Sequence, residues 1–115
     1  MRSLLSNIKL LRYTLNRDTR PGRLDPCRLS YTDLTLVIDG EMYYRIDEKE
    51  VTLRAGDAIL FPQGSVRERL EAERNVTYAS FNVELPEGVI LPVGGKIKGA
   101  LSSDTVLLLE KAEAD

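Results

Sequence analysis

The chain has 115 residues, 43% of them hydrophobic and 30% charged, with a formal net charge of -2. That length suits one domain with its own core, and the acidic balance excludes the broad basic face of a nucleic-acid-binding surface. A single cysteine, Cys27, excludes an internal disulfide, and the absence of histidine removes the commonest transition-metal ligand and the commonest general base.

Residues 1–16 carry two overlapping patterns. Leu4, Ile8 and Leu11 repeat at helical spacing, whereas Leu11, Tyr13 and Leu15 alternate as in a strand. An extended arm is expected over residues 1–20. Asn7 and Lys9 interrupt the leading apolar stretch, which is too short for a signal-peptide core. No apolar run is long enough to span a bilayer, so a cytoplasmic protein with no membrane partner is expected. Residues 17–26, rich in Pro, Gly and Arg, predict a loop. Its Arg17, Arg20 and Arg23 either face water or place one guanidinium over a pocket.

Strand signals follow at intervals of about ten residues, the rhythm of a β-sandwich or barrel. Residues 28–38 are rich in Thr, Val, Ile and Tyr, and Asp39-Gly40 turns the chain into a strand over 42–46. Residues 47–50 form a charged hairpin tip, and 51–53 return. Gly56-Asp57 turns again before the apolar run 58–61, which Pro62-Gln63-Gly64 ends. The alternating charges of 67–73 predict a strand or bend at a sheet edge, where charge discourages edge-to-edge pairing. In the strand over 76–83, Tyr78, Ser80 and Asn82 share one face, and Thr77, Ala79, Phe81 and Val83 share the other. Residues 86–99 are punctuated by Pro and Gly, with 89–91 a possible edge strand. A helix is expected over 101–114, with Leu101, Thr105, Leu108 and Ala112 along one face.

The spacing from Gly56 is distinctive: five residues to Pro62, one more to Gly64, two more to Arg67. It resembles the second motif of the cupin superfamily, with Arg67 where a metal-binding histidine usually stands. Gly40 then matches the close of the first motif, which places Asp33 at the acidic-ligand position and Cys27 and Leu29 near the missing histidine pair. Within the cupins, LTLVIDGEMYYRI, VTLRAGDAILFPQGSVRER and TYASFNVELP resemble the N-terminal sensor domain of AraC-type transcriptional regulators. The resemblance implies a mainly all-β chain. Its parts would be the 1–20 arm, a small cupin-type double-stranded β-barrel or jelly roll over 21–100, and the start of a dimerisation helix over 101–115. It also implies a homodimer, and a DNA-binding helix-turn-helix domain that would follow Asp115, so no direct nucleic-acid contact by this chain.

A cofactor or metal is not expected, because Arg has five donors, no acceptor and a permanent charge. Arg67 must instead be paired, either with Asp33 or with a ligand. Arg69 follows with the same strand parity. The resemblance places Tyr78 and Ser80 at positions that line the sugar pocket in sugar-binding members. The expected ligand-binding set is therefore Arg67, Arg69, Asp33, Tyr78 and Ser80, for a sugar-like or small anionic effector. Tyr31, Tyr44 and Asn82 fit a core or solvent-facing role equally well. Catalysis is not expected, since no histidine-based triad is available and nothing marks Cys27 as an activated nucleophile. The alternatives are a stand-alone metal-free cupin enzyme acting on a sugar or small acid, and a structural dimerisation module with a collapsed pocket.

Overall fold

The structure, a computed structural model, describes residues 9–86 and 95–97. The expected helix over 101–114, the 89–91 strand and the first eight residues of the arm lie outside the described residues. Two antiparallel sheets face each other. One has the order β1-β8-β3-β6-β9 and the other β2-β7-β4-β5. The strands are β1 (Lys9–Thr19), β2 (Leu24–Arg28), β3 (Thr32–Asp39), β4 (Glu41–Ile46), β5 (Lys49–Arg54), β6 (Ala58–Phe61), β7 (Val66–Leu70), β8 (Val76–Glu84) and β9 (Gly95–Ile97). This is the expected double-stranded β-barrel.

Four expectations change. The stretch read as an arm is, over Lys9–Thr19, an edge strand that pairs with β8 along most of its length. The Pro-rich stretch read as a loop supplies β2, and the single strand expected over 28–38 is split at Ser30-Tyr31 into the end of β2 and β3. Pro26 is tolerated because β2 is an edge, where a missing N–H costs no ladder bond. β7 is therefore an interior strand, between β2 and β4, and not the edge its charges suggested. Its outward Glu68 is 8% exposed and pairs with Arg45, the residue directly opposite on β4, at 3.2 Å. Opposite charges across a ladder stabilise the pairing there.

The charged tip shortens to Asp47-Glu48, both at positive φ (47° and 71°), as a two-residue turn between twisted strands requires. Between β3 and β4 the chain turns at Gly40, with φ at +97°. A Cβ at Gly40 would lie 3.0 Å from the Asn75 carbonyl oxygen and 3.3 Å from the Val76 Cα. Gly40→Ala is therefore expected to destabilise the fold by roughly 1–3 kcal/mol, read from urea unfolding. An unchanged midpoint would show that the turn relaxes freely.

The inner faces of the sheets divide along their length. At one end Val37, Ile59, Phe61 and Tyr78 meet Met42, Tyr44, Ile46 and Leu53 in the main core. Toward the other end the same strands switch to polar residues: Thr35 and Asp33 on β3, Ser80 and Asn82 on β8. Cross-strand pairing keeps these together, since Asp33 lies opposite Asn82, and Thr35 opposite Ser80. The outer face of the five-stranded sheet carries a second apolar cluster, centred on Leu36, Ala58 and Ala79, with Phe81 and Tyr13 packed beside them. The alternation read in β8 is thus realised, with Ala79 and Phe81 on the packed face and Ser80 and Asn82 on the polar one.

Candidate functional site

The polar half of the interior borders an open cavity of about 330 Å³. β1 contributes Arg12, Thr14 and Asn16, β3 Asp33, β7 Arg67 and Arg69, and β8 Tyr78, Ser80 and Asn82, while Leu24 and Tyr31 complete the wall. All five residues of the expected set line it. Tyr31 and Asn82 join them, whereas Tyr44 is a core residue, edge-on to Phe61 with ring centroids 5.4 Å apart. The expected guanidinium over the pocket is not one of the three from the 17–26 stretch. Arg20 bonds the Ala72 carbonyl, Arg23 pairs with Glu68 and Asp25, and Arg17 is not in the wall. Arg12 takes that place. Its signal in the sequence was the polar alternation Arg12, Thr14, Asn16, which becomes readable only once β1 is known to pair with β8.

Asp33 and Arg67 form the ion pair weighed in the sequence, with Arg67 Nη1 donating to Asp33 Oδ2 at 3.2 Å. Their side chains are 5% and 18% exposed. The other carboxylate oxygen, Oδ1, accepts from the Thr35 hydroxyl at 2.7 Å, and that hydroxyl lies 2.9 Å from Ser80 Oγ. Burial raises the Asp33 carboxyl above its usual 3.8, outweighing the Thr35 hydrogen bond and the Arg67 charge that pull it down. Arg69 donates from Nε to the Gly22 carbonyl at 2.8 Å. It also hydrogen-bonds the Tyr44 hydroxyl, but burial dominates there and pushes that phenol up to about 12. Arg67 Nε and Asn82 Oδ1 are buried and make no hydrogen bond among the described residues.

The residues present do not fit a metal. Both oxygens of Asp33 are committed as acceptors, and the guanidinium beside it repels a cation and offers no lone pair. Cys27 lies opposite Arg67 in the β2–β7 ladder, but it is exposed and outside the cavity wall.

Among the described residues, two larger concavities lie elsewhere. One, of about 530 Å³, is formed by the β4–β5 and β6–β7 turns, and the other, of about 450 Å³, lies between the β3–β4 turn and the segment before β8. Their walls are built from connecting turns, and they do not bring together several buried polar groups. The smaller cavity between the sheets has those groups and is the candidate site.

Comparison with known proteins fits this geometry. The family model described as Cupin domain matches residues 30–73. A cupin protein from Bacteroides fragilis superposes with a TM-score of 0.53 at 13% identity, over 70% of each chain. YhaK from Escherichia coli gives 0.54 at 22% identity, over 79% of this chain and 43% of its own. YcfD, a ribosomal oxygenase from Escherichia coli, gives 0.56 at 15% identity, over 92% of this chain and 38% of its own. This chain thus spans under half the length of the two Escherichia coli proteins. No curated protein matches the chain. The chain has the cupin fold.

Proposed function

We propose that this domain is a metal-free cupin that binds a small polar molecule and serves as the cytoplasmic, homodimeric sensing part of a transcription regulator. One observation carries the binding role: Arg67 stands where a metal ligand is usual, yet a cavity of about 330 Å³ stays open beside its pair with Asp33. That volume lies at the lower end of small-molecule sites. An open cavity also speaks against a purely structural module. The regulator role rests on the three sequence segments that resemble AraC-type sensor domains.

The fold offers a route from ligand to chain. Arg12, Thr14 and Asn16 reach the cavity from β1, an edge strand held to the barrel by β8 alone among the described strands. A ligand that contacts them favours the paired state of β1 over a detached one. Only such differential affinity shifts a conformational equilibrium.

A thermal-shift screen of sugars, sugar acids and small carboxylates in chelator-treated buffer tests the reading. A ligand at 100 times its Kd stabilises the folded state by about 2.7 kcal/mol. The expected result is a shift that Arg67→Ala abolishes while the variant still unfolds cooperatively. If no compound shifts the wild type, or Arg67→Ala keeps the full shift, the cavity is not the site.

A further inference from the structure

We propose that the cavity selects a small oxyanion, a carboxylate- or phosphate-bearing molecule, with Arg67 and Arg12 as its anchors. The inference rests on the reading of the cavity as a ligand site and names the class of ligand it takes.

Charge makes the first argument. The cavity wall holds three arginines, Arg12, Arg67 and Arg69, against one acid, Asp33. Three positive charges less one negative leave a formal +2 in a chain whose net charge is -2. The positive field is therefore local to the cavity. Low-dielectric walls focus such a field on a ligand of opposite sign.

Free donors make the second. Asp33 is engaged at both oxygens and leaves the excess uncancelled. Arg69 is held by the Gly22 carbonyl. Arg67 spends Nη1 on Asp33 and keeps its Nε buried without a partner. Nε and Nη2 form the side edge of the guanidinium, the fork that grips a carboxylate or phosphate through two parallel hydrogen bonds. A buried donor left unmade is costly, and a small shift of the guanidinium that turns this edge to the cavity lets an oxyanion remove the cost. Arg12 is exposed on β1 at the cavity rim, with no hydrogen bond or ion pair among the described residues. It supplies a second positive contact to the same ligand.

Isothermal titration with malonate, inorganic phosphate and xylose tests this. Because Arg67→Gln leaves Asp33 buried without its partner and can unfold the protein, the informative variant is Arg12→Gln at the rim. Arg54→Gln, with its side chain 76% exposed on β5 and outside the wall, controls for general charge. The expected result is one bound anion per chain, weakened about tenfold or more by Arg12→Gln and less than twofold by Arg54→Gln. Anion binding weakens between about 10 and 150 mM salt, as the screening length falls from roughly 30 to 8 Å. A preference for malonate assigns a carboxylate, and one for phosphate assigns a phosphate. Anion binding that Arg12→Gln leaves intact overturns the inference. So does binding of xylose, or of a neutral sugar from the screen, with neither anion bound, although the cavity then remains a ligand site. If nothing in either set binds, both readings fall.

Discussion

Asp33→Ala is expected to destabilise the domain by about 3 kcal/mol, lowering its melting temperature by on the order of 12 °C. Removing one partner of a buried pair leaves the other charge uncompensated, which typically costs ~3–5 kcal/mol. The lower end applies here because Arg67 keeps 18% of its side chain exposed and lines a cavity that water can enter. The double variant Asp33→Leu/Arg67→Met should recover most of the loss, since an apolar pair of similar volume avoids desolvating two charges. A loss below about 1 kcal/mol would show that Arg67 is solvated without its partner.

The same pair sets a pH dependence. The folded-state value of the Asp33 carboxyl lies above its usual 3.8 because burial outweighs Thr35 and Arg67. The folded protein therefore holds this proton more tightly than the unfolded chain. The associated stability is complete below pH 3.8 and is lost as pH rises through the raised value. Asp33→Asn, which resembles the protonated form, should be milder than Asp33→Ala. Its deficit against wild type should shrink as pH rises from the acid side. A deficit that grows with pH would mean that Arg67 wins over burial.

Phe61→Ala is expected to cost about 3–5 kcal/mol. Phe61 is fully buried, with 0% exposure, and sits edge-on to Tyr44. It also lies directly opposite Asp33 in the β3–β6 ladder, where the apolar core gives way to the polar cavity. Truncation removes packing and extends the cavity toward the core. Phe61→Leu should cost far less, because most of the volume is kept. With total stability for such a domain at about 5–15 kcal/mol, the Ala variant loses a large share of it in urea unfolding. A loss under ~1.5 kcal/mol would mean that the core end collapses around the gap.

The central strands and the cavity face were legible in the sequence because their signals are local. The run 58–61 between turn residues became β6 with the expected bounds, and the alternation of Tyr78, Ser80 and Asn82 placed three residues on one wall. Arg67 and Asp33 met as their motif positions implied. The edges were legible only in part. β1 showed its alternation at Leu11, Tyr13 and Leu15 but not its pairing with β8, and β2 is a strand because β7 offers it a partner, which no local propensity in a Pro- and Arg-rich stretch records. Arg12 was missed for the same reason, since its inward face depends on register with Asn82. The charges of β7 misled because alternation marks an exposed edge and an inward pair equally well. Arg67 and Arg69 turn to the cavity, while Glu68 turns to Arg45.

In the proposed function, Arg67 at a metal-site position is a direct contact for an organic ligand. The most direct measurement follows the Arg67 Nε–H resonance by NMR while a hit from the thermal-shift screen is titrated into chelator-treated protein. The expected result is that this resonance moves in step with the amides of Arg12, Ser80 and Asn82, and that added Zn²⁺ or Mn²⁺ leaves the titration unchanged. Contradiction would be a hit that binds only after metal is restored, or one that shifts residues of the β4–β5 and β6–β7 turns and leaves Arg67 untouched.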